Sequence, residues 1–127
     1  MAATTLVSFD LENAERAVRA LDSAGIEPDV ALWAKLPDYE SWRLIIASHK
    51  LDQDSPKAGY GQILDALSQA EIPVQRQPAI LMLPMRRPLI EGLRRLFAVA
   101  KDVYGMRLGG QTIGDKYVEE ALVIRIR

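Results

Sequence analysis

The order of its segments predicts that this chain folds as an α+β protein. Three observations carry that reading. Strand-like and helix-like stretches succeed one another as β-α-β-β-α-β before a third helix begins. Helix starts are signalled at Asp10, at Ser55-Pro56 and at Pro88. Residues 106–127 close the chain as two strand-like runs joined at Gly114-Asp115. A chain of 127 residues is expected to form one domain, 1–127, burying roughly two-thirds of its unfolded surface.

Each element has its own grounds. Residues 4–9 are mostly β-branched or apolar and stop at Asp10, which predicts a first strand and a capped helix from Leu11 to about Ser23. In that helix Ala14, Ala17, Val18 and Leu21 recur at core spacing, and Gly25 suits a left-handed exit. Residues 30–36 and 42–48 predict an antiparallel pair around the turn-forming Pro37-Asp38-Tyr39-Glu40-Ser41. Trp33 and Trp42 flank that hairpin and are expected to meet as cross-strand neighbours. Ser55 caps a second helix, with Pro56 at its first position, Tyr60, Ile63, Leu64 and Leu67 as its buried stripe, and an end near Glu71. Residues 79–83 are continuously apolar between Pro78 and Pro84, which predicts a deep strand covered on both faces. Pro88 opens a third helix expected to run to about Tyr104, with Leu89, Leu93, Leu96, Ala100 and Val103 toward the core and Gly105 as its stop. In the final strand, strict alternation sets Leu122, Ile124 and Ile126 against Val123, Arg125 and Arg127.

That order is the ferredoxin-like β-α-β-β-α-β unit, extended by a third helix and a C-terminal β-hairpin. Right-handed crossovers place both early helices on one sheet face, leaving the other for the third helix, the hairpin or a second subunit.

Composition narrows the function classes. The 49% apolar and 26% charged fractions are those of ordinary globular proteins, not of disordered or fibrous chains. A net charge of -1 supplies no global field for nucleic acid or an anionic membrane, so neither partner is expected. The absence of cysteine excludes disulfides and thiolate metal sites and fits a reducing cytoplasm, the expected compartment. Residues 1–10 lack a basic n-region and reach an acid after nine residues, which predicts neither a signal peptide nor a membrane helix. No cofactor is expected.

The tail segment Gly110-Gln111-Thr112-Ile113-Gly114-Asp115-Lys116-Tyr117-Val118-Glu119-Glu120-Ala121, with Trp42-Arg43-Leu44-Ile45-Ile46-Ala47-Ser48 upstream, resembles a family of small uncharacterised bacterial proteins. Their tails read Gly-Asn-x-Ile-Asn-Gly, then Ile-Glu-Asp-Ala. Here Gln111 replaces the asparagine, Gly114-Asp115 stands in place of Asn-Gly, and Glu120 takes the aspartate position. The resemblance implies bacterial origin and brings no activity.

The candidate sites are few. His49, at a strand end, is the one histidine and the natural general base, although beside Lys50 it also suits a solvated strand terminus. Asp52 and Asp54 begin like a hard-cation loop, but Pro56, Lys57 and Ile63 stand where further ligands are needed, so the acids suit the positive end of the second helix instead. Arg86 and Arg87 gather at the start of the third helix, with Arg94, Arg95 and Lys101 continuing a basic strip, and this is the best anion-binding candidate. Gly105, Gly109, Gly110 and Gly114 match no phosphate-loop spacing and are read as turns and bulges. Sheet-mediated RNA binding lacks exposed aromatics, with Phe9 alone on the expected central strands.

With no reactive set in view, the expected function is a non-enzymatic binding or assembly module, homodimeric or joined to a protein partner through sheet surface or strand edges. The alternative is a small enzyme or sensor that holds an anionic, phosphate-bearing metabolite near Arg86 and Arg87, with His49 for proton transfer.

Overall fold

The computed structural model describes residues 2–100 and 102–127, with side chains described from Asp10 onward. Along them run α1 (Ala2–Ser23), β1 (Val30–Lys35), β2 (Arg43–Ala47), α2 (Pro56–Gln69), β3 (Ile80–Met82), α3 (Pro88–Leu96), β4 (Arg107–Ile113) and β5 (Lys116–Ile126). The fold is α+β, with three helices and one five-stranded mixed sheet of order β3-β2-β1-β5-β4. β1 and β2 form the expected antiparallel hairpin, from Val30 opposite Ala47 to Ala34 opposite Arg43. α2 then carries the chain to β3, parallel to β2. β5 pairs antiparallel with the other side of β1, and β4 completes the terminal hairpin at the far edge.

The ferredoxin-like order is not what forms, because the strand expected at residues 4–9 belongs to α1. β propensity spans only about 1 kcal/mol and yields to context. Both flanks of β1 are taken by β2 and β5, so that segment has no open flank of β1 to join. The amphipathic helix read from Leu11 instead continues back to Ala2, and Asp10 lies inside it.

Both sheet faces are covered. Ala31 and Trp33 of β1, with Leu44 and Ile46 of β2, meet Ala14, Ala17, Val18 and Leu21 of α1 and Ile63, Ala66 and Leu67 of α2. Trp33 stacks on Trp42, ring centroids 5.9 Å apart. Val30, Leu32, Ala34 and Ile45 point the other way and meet Leu89, Ile90 and Leu93 of α3. The two early helices thus share one face and the third takes the other, as the crossover argument expects.

Helix ends follow local chemistry. α1 leaves through Gly25 at φ +83, with Ile26 N–H on Leu21 O and Gly25 N–H on Asp22 O, the paired bonds of a Schellman cap. Ser55 Oγ accepts the Ala58 N–H to cap α2. Leu64 is 51% exposed, so the buried stripe of α2 runs through Gly59, Ile63, Ala66 and Leu67 instead. α3 stops at Leu96, not near Tyr104. Asp102 Oδ1 accepts the Tyr104 N–H, a local turn that competes with helix. Val103 still reaches the core, from a loop, while Ala100 is exposed and Lys101 lies outside the described residues.

Two strand readings also change. Residues 79–83 contribute β3, a half-buried edge strand rather than a deep one. Its apolar run does have two sides: Ile80 and Met82 pack toward α1 and α2, Leu81 and Leu83 toward α3. In β5 the alternation breaks. Ala31 pairs with Arg125 but Leu32 with Val123, so Ile124 is an extra, bulged residue. Beyond it Arg125 turns to the α1 side and Ile126 to the α3 side. Arg125 there holds both carboxylate oxygens of Asp22, at 2.8 and 2.7 Å, and donates to Pro28 O at 3.1 Å.

Those bonds hold the Asp22 carboxyl below its ordinary range, against the opposing effect of partial burial. A lowered folded-state value means stability that is complete above the unfolded carboxylate value, about 4, and lost as pH falls through the folded one. Asp22→Asn should therefore cost roughly 1–2 kcal/mol at pH 7, allowing for the solvent that still reaches the pair, and the difference from wild type should shrink below about pH 4. Urea denaturation at pH 7 and pH 3 measures it.

Gly114 joins the terminal hairpin to α3. It has φ +61, and a Cβ there would lie 2.2 Å from Pro88 O. Gly25 has φ +83 but open space around its Cβ position. Gly114→Ala is expected to destabilise by roughly 3 kcal/mol or more, strain plus clash, and Gly25→Ala by about 1 kcal/mol. Equal losses in chemical denaturation would contradict the close docking of the hairpin tip on α3.

Candidate functional site

The residues named from sequence do not converge on one site; Asp52, Asp54 and Arg86 share a cavity, while His49, Arg87 and Arg94 lie apart from it. His49 is exposed, and both its main-chain N–H and its Nδ1 lie 2.9 Å from Asp29 Oδ2. That pairing ties the end of β2 to the residue before β1, where Asp29 N–H also bonds Ala47 O. Beside it Lys50 bonds Glu27 Oε1 at 2.9 Å and holds that carboxyl below its ordinary range. The neighbouring Ser48 hydroxyl donates to Ile26 O at 3.0 Å. These contacts join two loops.

Asp52 and Asp54 are likewise engaged in structural contacts, one of them long-range. Asp52 Oδ2 accepts the Met85 N–H at 3.0 Å, and Asp54 Oδ2 accepts from Gln62 Nε2 at 2.6 Å. Among the described residues, no cluster of three or more His, Asp or Glu is arranged to hold a metal ion.

Arg86 and Arg87 part company. Arg86 lines a cavity of about 180 Å³ with Asp52, Asp54 and Pro56, beneath the start of α2. Arg87 lines a second, of about 230 Å³, on the α3 side. Arg94 is elsewhere again, its Nε donating to Arg127 O at 2.6 Å. Neither cavity is lined by His49.

The second cavity is the candidate site, and it is built from residues scattered along the chain. Its floor is Leu36, Leu81, Leu83 and Leu89, and its rim is Asp38, Tyr39, Arg87 and Lys116. The rim loop, residues 36–39, is clamped by cations. Lys35 Nζ donates to Leu36 O at 2.8 Å and to Tyr39 O at 2.5 Å, and pairs with Glu119 at 3.2 Å. Arg43 lies over the Tyr39 ring, 4.3 Å from its centroid, a cation–π arrangement. Lys116 pairs with Asp38, and Arg87 with Asp115 at 3.4 Å. The Nε of Arg87 is buried and has no hydrogen-bond partner among the described residues.

Of these, sequence reasoning singled out Arg87 alone. Lys35 and Arg43 stand at the loop end of the β1–β2 hairpin, where cross-strand pairing was readable, but Lys116 is brought in only by β5 pairing with β1. Comparison with family models, with curated proteins and with solved structures found no match. No helix among the described residues is long and apolar enough to cross a membrane.

Arg87 supplies no side-chain cap to α3, and its one ion pair is long and half-exposed. Arg87→Ala is expected to change stability by no more than about 0.5 kcal/mol. Leu93, fully buried against the sheet, should cost roughly 2–5 kcal/mol on truncation to Ala. Urea midpoints for the two variants test this; similar losses would make Arg87 a structural ion.

Proposed function

We propose that the protein is a non-enzymatic binding module that assembles with a second copy of itself along the edge strand β4. The observation that carries this reading is the openness of that edge. Both sheet faces are covered, which leaves the edges for association by strand pairing. β3 offers only three residues, close to Pro78 and Pro84, and proline and shortness both guard an edge. β4 has seven, most of them exposed. Apolar side chains adjoin it, with Met106 and Tyr117 nearly half exposed. Pairing of two β4 strands about a two-fold axis satisfies main-chain groups and brings the two copies' Tyr117 side chains, beside Thr112, toward each other. Gly110, at φ +63, divides the edge, and the half that pairs is residues 111–113, beside Tyr117.

The His49–Asp29 pair supports the non-enzymatic side of this reading. It joins two loop ends and lines neither the cavity at Arg86 nor the one at Arg87, which does not favour shared proton-transfer chemistry there.

Light scattering coupled to gel filtration tests the assembly. Wild type is expected to shift toward dimer mass as concentration rises. Gln111→Lys, which places a charge from each copy beside the axis, is expected to return it to monomer without loss of thermal stability. A monomer at all concentrations, or a dimer indifferent to Gln111→Lys, refutes the β4 edge.

A further inference from the structure

The cavity at Arg87 has a form that the assembly reading does not use. Its floor is hydrocarbon: Leu36 and Leu89 are buried, and Leu81 and Leu83 half-buried. Its rim carries two cations, Arg87 and Lys116, and one carboxylate, Asp38. Arg87 has five N–H donors. Its Nη2 makes a long contact to half-exposed Asp115, and its Nε–H, shielded from solvent, has no acceptor among the described residues. A buried donor without an acceptor is costly, more so on a charged group.

We propose that this cavity binds a small aliphatic carboxylate, its hydrocarbon body on the four leucines and its two oxygens taking the place of Asp115 on Arg87, a displacement that opens the covered Nε and Nη2 edge to it. Three features select that chemistry. The Nε–Nη2 edge of a guanidinium matches a carboxylate with two parallel hydrogen bonds. The charges of Arg87 and Lys116 are already balanced by Asp115 and Asp38, so a monoanion suits the site better than a phosphate dianion. Size agrees as well: a cavity of about 150 Å³ accommodates benzene, so the 230 Å³ here has room for a chain of roughly six to ten heavy atoms. The ligand displaces Asp115 from Nη2, an exchange that costs little because half-exposed ion pairs contribute little. Lys116 adds its field from the rim, and Tyr39, held under Arg43, closes the side.

The test is calorimetric or NMR titration of the full chain with 4-methylpentanoate, with leucine, inorganic phosphate and 4-methylpentan-1-ol in parallel. Saturable binding of 4-methylpentanoate is expected, at least tenfold tighter than phosphate or the alcohol. Arg87→Gln should weaken it tenfold or more, and Arg87→Lys should fail to restore it, because lysine keeps the charge but not the fork. Arg95→Gln, the same charge loss on the exposed side of α3, should leave affinity unchanged. Leucine binding as tightly as 4-methylpentanoate would support the same site with Asp38 receiving the ammonium; weaker leucine binding would support a plain carboxylate. No saturable binding at about 10 mM, equal binding of phosphate, or an Arg87→Gln protein that binds like wild type overturns the proposal. None of these readouts depends on whether the protein dimerises along β4.

Discussion

β1 is paired on both sides and buried on both faces, and the rest of the molecule depends on its register. Its side chains alternate between two cores, Ala31 and Trp33 under α1 and α2, Val30, Leu32 and Ala34 under α3. A slip of one residue against either neighbour would exchange those sets and drive Trp33 toward the short helix. The bulge at Ile124 is where the alternation is broken, and it has a structural result. It turns Arg125 under α1 to meet Asp22, so the last strand is tied to the first helix by a bidentate ion pair.

Where local pattern and tertiary context agree, the elements were legible. The β1–β2 hairpin, the Ser55 cap, the α1 stripe and the terminal hairpin each carry their own signal in a few adjacent residues. The failures share a cause. Residues 4–9 look like a strand and lie in helix because β1 has no free flank. Residues 97–100 and 102–104 are not helical despite their apolar spacing, since Val103 reaches the core from a loop while the Asp102 carboxylate accepts the Tyr104 N–H. The bulge was invisible because nothing in an alternating run marks the residue that will be left unpaired.

The candidate site was less legible than the fold, for a related reason. Arg87 could be found because proline after a basic pair marks a helix start. Lys35, Asp38, Tyr39, Arg43 and Lys116 are ordinary polar residues in ordinary places, and sheet pairing brings them together. In the sequence, 73 positions separate Arg43 from Lys116 (116 minus 43). Both gather at the same end of the sheet because β2 and β5 flank β1 antiparallel and so run in the same direction.

The cavity itself follows from how unequally the two faces are covered. A helix with its side chains is about 10 Å across and strands lie about 4.8 Å apart, so one helix covers about two strands. One face has two helices, α1 and α2. The other has α3 alone, which packs toward β4 and β5. Over β2 and β3 that face is closed by pieces of loop: Met85, the connection into α3, and residues 36–39. Loops bring main-chain polar groups and charged side chains that need partners, and here Lys35, Arg43, Arg87 and Lys116 supply contacts for them. Side chains of the strand beneath remain apolar, as a two-sided sheet requires. A hollow with a hydrocarbon floor and a charged rim is therefore the physical consequence of covering this part of the sheet with loops instead of a second helix.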